Sequence, residues 1–553
     1  MVTLSKKMKN GKYYYYVEER ARINGKSTRL WQIYLGPEDK LKEMKVSFSP
    51  QKLEYQTMEF GISAALLQLA RKLGLVEIID NLTGKKREQN LSLGEYFLIS
   101  TINRVIRPSS KSKLSSWFKT DFLSTIFTID SKILNAQTYW NHYQRFSEKK
   151  ISLIEERINQ RVLELYDVDL SCLLFDPTNF YTFFAEHDPD QLAQFGKSKE
   201  GRNALRIINL SLICTLKDGI PLFHQTYQGN TQDAKHFKGL VSQFTDRVDK
   251  LNKDIKEIIL IFDKGNHSSK AFAQIEALKM PFIASIRNST QKDLLNIPKE
   301  EFIEITLKSN QKTVLYYRTE REIYNIVRTV YVLIDPKKFK KDSFRVNHKI
   351  DEKLNKLNNF LGKLNVKKWR EKEKVEKKIK TLIGKAPYKN IITADVSGEF
   401  GKLRVDIQVN VKEKEEYLNS LGRSLIFTNL ESWEPDVVIQ AFRDKYMVEK
   451  TFSHLKNPHF LSVRPLYCWS DESIRGHTFS CVVGLLLLSL LRKELALKGL
   501  NLSYERILDN LSELQLTQIY TSTKGPPIFK LNRHSSTSDE IFKIMKLKSL
   551  LPK

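Results

Sequence analysis

The 553-residue sequence predicts an α/β protein: a mixed-sheet core interrupted by a long insertion, preceded by a β-hairpin and an all-helical region. Two apolar runs, Cys172-Leu173-Leu174-Phe175 and Ile258-Ile259-Leu260-Ile261-Phe262, do not alternate with polar residues. That is the pattern of strands buried on both faces. Between them the order reads hairpin, then helix. Upstream, from about Met58 to Leu165, apolar residues recur at helical rather than strand spacing.

Residues Lys12 to Leu35 read as a hairpin, with arms at Tyr13–Val17 and Arg29–Leu35 and the turn at Asn24-Gly25. Its tyrosines and lysines suit contact with DNA and equally an aromatic sheet face. In the helical region, Ile62, Leu66, Leu69 and Leu73 share one face, and Tyr96, Ile99, Ile102, Val105 and Ile106 follow in the same manner. Arg104, Arg107, Lys111 and Lys113 surround Pro108-Ser109-Ser110, where a helix should end. This basic region is a candidate DNA-binding module or a scaffold for dimer contacts.

In the core, Leu205 to Leu216 and Ile220 to Tyr227 read as a strand pair joined at Lys217-Asp218-Gly219, with a helix over Phe237 to Leu251. The β-rich stretches Val314–Tyr317 and Thr329–Leu333 and the lysine-dense helical stretch 335–385 form the insertion, and Ser424–Thr428 resumes the core. Expected boundaries are 1–50 for the hairpin module, 51–168 for the helical region, 169–288 and 424–500 for the core, 289–423 for the insertion and 501–553 for a C-terminal tail. Beyond Tyr504 the sequence offers little, and Ser535 to Ser538 read as flexible.

Lys and Arg outnumber Asp and Glu by 91 to 64, a formal charge of +27. Such an excess concentrates polyanions, nucleic acid above all. The opening residues Met1 to Lys12 lack the apolar centre of a secretory signal. The apolar run Cys481 to Leu491 is short of the ~20 residues that span a bilayer and reads as a buried helix, so no membrane partner is expected. Four cysteines without zinc-ligand spacing point to a reducing compartment, the cytoplasm.

Against this basic background three acids stand out. Asp176 and Asp263 each close an apolar run. Glu449 falls within the stripe formed by Ile439, Phe442, Tyr446 and Phe452 on one side of a helix, with Lys445 and Lys456 on its flanks. A carboxylate aimed into a core is costly unless paired or metal-bound. Each has an ordinary reading too: an i,i+4 pair of Glu449 with Lys445, or a helix N-cap for Asp263. Three acids meeting at a sheet edge would repel, and a divalent cation removes that penalty. Oxygen ligands without a Cys or His set point to Mg²⁺, with Mn²⁺ as a substitute. His267 and His477, near these motifs, are assigned no role.

Leu174-Phe175-Asp176-Pro177-Thr178, Phe262-Asp263-Lys264-Gly265, and Phe442, Lys445, Glu449 and Lys456 at Tyr-x2-Arg-x3-Glu-x6-Lys spacing together form a pattern. So do the loop Gly196-Lys197-Ser198-Lys199-Glu200-Gly201-Arg202, the hairpin Asp218-Gly219-Ile220-Pro221 before Gly229-Asn230, and Ile474-Arg475-Gly476-His477. In this order the sequence resembles the DDE transposases of bacterial and archaeal insertion sequences, the branch with a β-rich insertion before the final Glu. Phe442 and Lys445 depart from the usual Tyr and Arg, and Lys264 from the Arg of the second motif.

The resemblance implies a ribonuclease-H-like core in which Asp176, Asp263 and Glu449 hold two Mg²⁺ ions. Water would cut a phosphodiester at a transposon end, and the freed 3′-hydroxyl would attack target DNA. Lys264, Lys445, Lys456, Phe442 and Arg202 would contact double-stranded DNA. Terminal inverted repeats as the recognised sequence, a homodimer on two ends and a nucleoid-associated location follow from the same likeness. The rival readings are a nuclease of the same fold that cuts without joining, and a domesticated DNA-binding protein without catalysis.

Overall fold

The computed structural model describes all residues except 1, 24–25, 39, 41–54, 85–89, 185–188, 309–310, 447–451, 465, 469, 521–526 and 553. The chain divides into two compact units: Met1–Ala65 with Trp117–Thr128 and Glu505–Lys553, and Leu66–Ser116 with Ile129–Tyr504.

The first unit opens with an antiparallel meander of β1 (Val2–Lys9), β2 (Lys12–Ile23) and β3 (Lys26–Pro37). The sequence predicts only the second hairpin. β1 escapes because nearly all its residues are exposed, which leaves no apolar period to read. Its turn was nonetheless written in the chain: Lys9 pairs with Lys12, and Asn10 and Gly11 between them both take positive φ, at 53° and 71°. Two-residue turns of that kind match the twist of paired strands. The predicted turn residues Asn24 and Gly25 lie outside the described residues. Tyr14 and Tyr16 pack on Tyr34 across the sheet, with ring centroids 6.2 and 5.3 Å apart.

A second small sheet joins distant segments. β4 (Tyr55–Glu59) pairs with β17 (Gln515–Ile519), which pairs with β18 (Ile528–Leu531). Ser535 and Ser538, expected to be flexible, instead fix a helix. The Ser535 side chain caps Ser536–Ile544, and Ser538 is fully buried. Phe60 meets Phe122 edge-on at 5.0 Å.

The second unit is built on a ten-stranded mixed sheet. Its strands are β5 (Cys172–Tyr181), β6 (Gln194–Phe195), β7 (Arg206–Thr215), β8 (Pro221–Gln228), β9 (Ile259–Phe262), β10 (Phe282–Ile286), β11 (Ile303–Thr306), β12 (Thr313–Ile323), β13 (Ile326–Ile334) and β16 (Arg423–Thr428). The spatial order is β11-β12-β13-β16-β10-β9-β5-β7-β6, with β8 also on β7. Only β5–β9 and β9–β10 are parallel. β7, β9 and β10 are buried at every residue, as their apolar runs require. The helix Asp233–Lys250 covers β5 and β9, with Phe237 4.9 Å from Phe175 and 4.8 Å from Phe262.

β5 does not end at Asp176, as the sequence suggests, but continues to Tyr181. Pro177 sits beyond the last residue paired with β9, where β5 has only β7 as a neighbour. A strand tolerates proline at such an edge.

The stretch expected as one insertion has two parts. β11–β13 extend the main sheet through β16. The rest forms its own small core, in which Val346, Ile350 and Leu357 of the helix Pro336–Leu361 meet Val375 and Ile379 of Lys372–Ile383 and Ile392 at the start of the hairpin β14 (Ile392–Ser397) and β15 (Arg404–Val409).

The apolar run Cys481–Leu491 belongs to a helix of 27 residues, Asp471–Leu497, longer than the run implies. By length and composition it could cross a membrane, yet 94% of its most apolar window is buried inside the protein. Gly476 and Gly484 allow neighbours to close on it: a Cβ there would lie 3.1 Å from the Tyr143 ring and 2.8 Å from Leu461.

One buried carboxyl in the first unit makes stability depend on pH. Asp121 is fully buried; Ser63 Oγ donates to its Oδ2 at 2.6 Å and Leu123 N to its Oδ1 at 2.9 Å. Burial dominates and pushes its pKa up to about 7. From about pH 4 upward the unfolded chain has lost this proton while the fold still holds it. Unfolding therefore releases a proton, and stability falls as pH rises toward 7. Asp121→Asn, which keeps both hydrogen bonds, should flatten that fall by several degrees in melting temperature recorded across this range. An unchanged slope would contradict the assignment.

Candidate active site

β5 and β9 run in register, Phe175 opposite Phe262, and β9 runs in register with β10, Phe262 opposite Ala284. The next residues on the three strands are Asp176, Asp263 and Ser285. Neighbouring strands lie ~4.8 Å apart, so the two carboxylates and the hydroxyl leave the sheet at one level.

Asp263 is held from several sides. Ser285 Oγ donates to its Oδ1 at 2.9 Å, and the Lys264 backbone N–H donates to that same hydroxyl at 2.9 Å. Lys445 Nζ also bonds Asp263 Oδ1. Burial pushes the Asp263 carboxyl up, but the Lys445 ammonium, the Ser285 hydroxyl and the Lys264 charge outweigh it and hold the group below the usual carboxylate range. Asp263 is thus ionised, and its side chain is still 43% exposed.

Lys445 directly follows the helix Pro435–Asp444, and its ammonium stands 5.1 Å from the centre of the Phe442 ring. Ile439 and Phe452 are buried as the apolar stripe predicts, whereas Tyr446 of that stripe is 54% exposed. Glu449 lies outside the described residues. On its N-terminal side Lys445 bonds Asp263, and on its C-terminal side Lys456 lies within range of the charge of Asp176.

Around Asp176 a second group of charges gathers. Burial lowers the Lys456 pKa most strongly; Glu200 opposes it, the charges of Lys199 and Arg464 add to it, and Asp176 opposes it last. Lys456 Nζ stands 5.8 Å from the Phe180 ring centre. Arg464 pairs with Glu200 at 3.1 Å and donates to the Lys456 carbonyl at 3.4 Å. Both Arg464 and Arg202 stack on Tyr181, at 4.5 and 4.7 Å from its centre.

The loop 196–202 is tied to the strand beyond Asp176. Asn179 Oδ1 accepts from Lys199 N at 3.0 Å, Asn179 Nδ2 donates to Lys197 O at 3.1 Å, and Lys199 Nζ donates to the Pro177 carbonyl. Tyr227 OH donates to Asp233 Oδ1 at 3.0 Å, and the charge of Asp176 reaches the same phenol.

The structure therefore gathers Lys264, Phe442 and Lys445 at Asp263 and Lys456 at Asp176, with Arg202 on the neighbouring loop. Sequence reasoning missed Ser285, Asp233, Lys199 and Arg464. Ser285 was legible only through the register of β9 with β10. Lys199 stood inside a quoted loop motif, and Arg464 had no motif.

Two carboxylates on adjacent strands, one of them beside the Ser285 hydroxyl, offer the oxygen donors that a hard divalent cation takes. That Asp263 already takes an ammonium as counter-charge is consistent with this. Among the described residues no three His, Cys, Asp or Glu side chains come together as a metal site, so a third ligand would come from elsewhere.

Residues 168–467, more than half of the chain, match the family model described as the transposase DDE domain. No curated protein matches the chain. Among solved structures, one similar chain is that of a piggyBac transposase synaptic complex with hairpin DNA, at 10% identity and a TM-score of 0.37, covering 81% of this chain and 79% of that one.

Asn179→Ala should free the loop 196–202 while costing about 1–3 kcal/mol of stability. Limited trypsin digestion would then cut after Lys197 or Lys199 faster than in the unaltered protein. Equal rates would show that the loop is held by other means.

Proposed function

The chain belongs to the transposase DDE domain family and is a DNA transposase, and on that premise we propose that Asp176, Asp263 and Glu449 are its three catalytic carboxylates. The observation that carries this is the convergence of the two aspartates at one level of the sheet, with Lys445, four residues before Glu449, bonded to Asp263. We read the core as ribonuclease-H-like, since its parallel β5–β9 pair, flanked by the antiparallel β7 and covered by a helix, carries the acids at that edge.

DDE transposases use divalent metal ions; we assign two Mg²⁺ ions, replaceable by Mn²⁺, to these three residues. Bound there, the metal supplies Lewis acidity and neutralises charge at the scissile phosphate. The remaining work falls to the chain. Lys445 releases Asp263 and turns its ammonium to a backbone phosphate, and Lys456 and Lys264 grip phosphates on either side. Arg202 follows the same strand from the loop over Tyr181, and Phe442 backs the Lys445 stem. The loop 196–202, pinned by Asn179, holds the DNA against the acids, so that the attacking hydroxyl and the phosphate meet in line. Little covalent chemistry is asked of the protein beyond this placement and charge neutralisation.

In this reading the chain serves an insertion sequence of the prokaryotic branch. It binds terminal inverted repeats through its helical region, and it acts at the nucleoid as a homodimer with one protomer per end.

Asp176→Asn, Asp263→Asn and Glu449→Gln should each abolish strand cleavage while binding of a transposon-end duplex survives. Retained cleavage by any purified variant would remove that residue from the catalytic set. Binding of the duplex should also fall steeply with salt, and Lys456→Met should lower the slope of log affinity against log salt by about one.

A further inference from the structure

Within the second unit, apart from the acids, lies a cavity of about 310 Å³ whose walls carry Arg104, Lys111 and His477. All three side chains are buried, at 1%, 7% and 2% exposure. Every partner they have is neutral. Arg104 Nη1 donates to Ser462 O at 3.0 Å and Nη2 to Ser109 O, while its Nε has no partner. Lys111 Nζ donates to Tyr143 OH at 3.1 Å and stands 4.9 and 5.0 Å from the ring centres of Tyr139 and Tyr143. His477 Nε2 pairs with Val463 O at 2.7 Å, and its Nδ1 is unpartnered.

Among the described residues no carboxylate pairs with Arg104 or Lys111 in any ion pair. A buried charge without a counter-charge is costly, and a guanidinium cannot escape by losing its proton. Burial, and then the charge of Arg104, pull the Lys111 pKa down to about 7. Among the described residues nothing offsets the charge of Arg104, and an anion in the cavity would do so and would favour the protonated form of Lys111.

The rest of the wall favours one kind of anion. Ser112 is exposed, Trp140 half-buried and Tyr467 58% exposed. Hydroxyls that donate to phosphate oxygens and aromatic faces on which bases stack are the common furniture of nucleotide contacts. We propose that this cavity is a second, non-catalytic site that binds a phosphate group, carried either by a DNA strand or by a free phosphate or nucleotide. The DNA source rests on the transposase reading above; the phosphate chemistry does not.

The test uses the full chain with two probes: inorganic phosphate followed by calorimetry, and a labelled duplex followed by anisotropy. Ser112→Glu puts a negative charge on the exposed wall without touching the core, and Lys111→Met removes the buried ammonium. Ser112→Glu should weaken phosphate binding by roughly tenfold, the scale of one like charge at close range. Lys111→Met should do the same if its melting curve shows it folded; if it does not fold, Ser112→Glu decides alone.

Loss of affinity for both probes assigns the site to DNA. Loss for inorganic phosphate alone assigns it to a free phosphate or nucleotide. Phosphate binding equal to that of the unaltered protein in the folded variants overturns the proposal, whatever the duplex does. Failure of the unaltered protein to bind any duplex would count against the transposase reading and leave the phosphate result to judge the cavity.

Discussion

The in-register parallel pairing of β5 with β9 determines where two carboxylates stand, and the proposed chemistry depends on it. Four residue pairs, from Cys172 opposite Ile259 to Phe175 opposite Phe262, fix the level at which Asp176 and Asp263 emerge. A slip of one residue would turn one of them to the other face of the sheet. The backbone hydrogen bonds of the pair would serve another register as well. This register is held by the burial of Leu173, Leu174, Leu260 and Ile261 and by Phe237 packed over the pair. The proposed cation site is thus positioned by hydrophobic contacts.

The charges around the acids follow from that placement. Asp263 is bonded by Lys445, just past the end of a helix far along the chain, and the charge of Asp176 reaches Lys456 shortly afterwards. The ammonium on Asp263 keeps that carboxyl ionised. The protein also carries cations that can be handed to an incoming backbone. The cavity at Arg104 and Lys111 presents the opposite case, positive charge without an internal partner.

The core was legible in the sequence where burial on both faces left unbroken apolar runs, as in β5, β7, β9 and β16. It was less legible where partners are distant or polar. β1 shows no period because solvent covers it. β4, β17 and β18 are short, and their pairing spans most of the chain. β11–β13 read as part of an insertion because nothing local reveals that β13 docks on β16. At the site, the spacing of Phe442, Lys445 and Lys456 around Glu449 was visible. The partner of Lys445 was not: the acid at i,i+4 spacing is Glu449, and the ion pair that forms is with Asp263. Ser285 illustrates the same limit, since its role arises from strand register and not from any motif.

The pairing of β4 with β17 has a bearing on how the protein is made. A ribosome delivers Tyr55–Glu59 long before Gln515–Ile519. Until then β4 presents an open strand edge, the kind of surface that recruits other chains. Translation that stalls before Gln515 would release a product whose large sheet is complete but whose first unit is still unzipped, a natural client for chaperones.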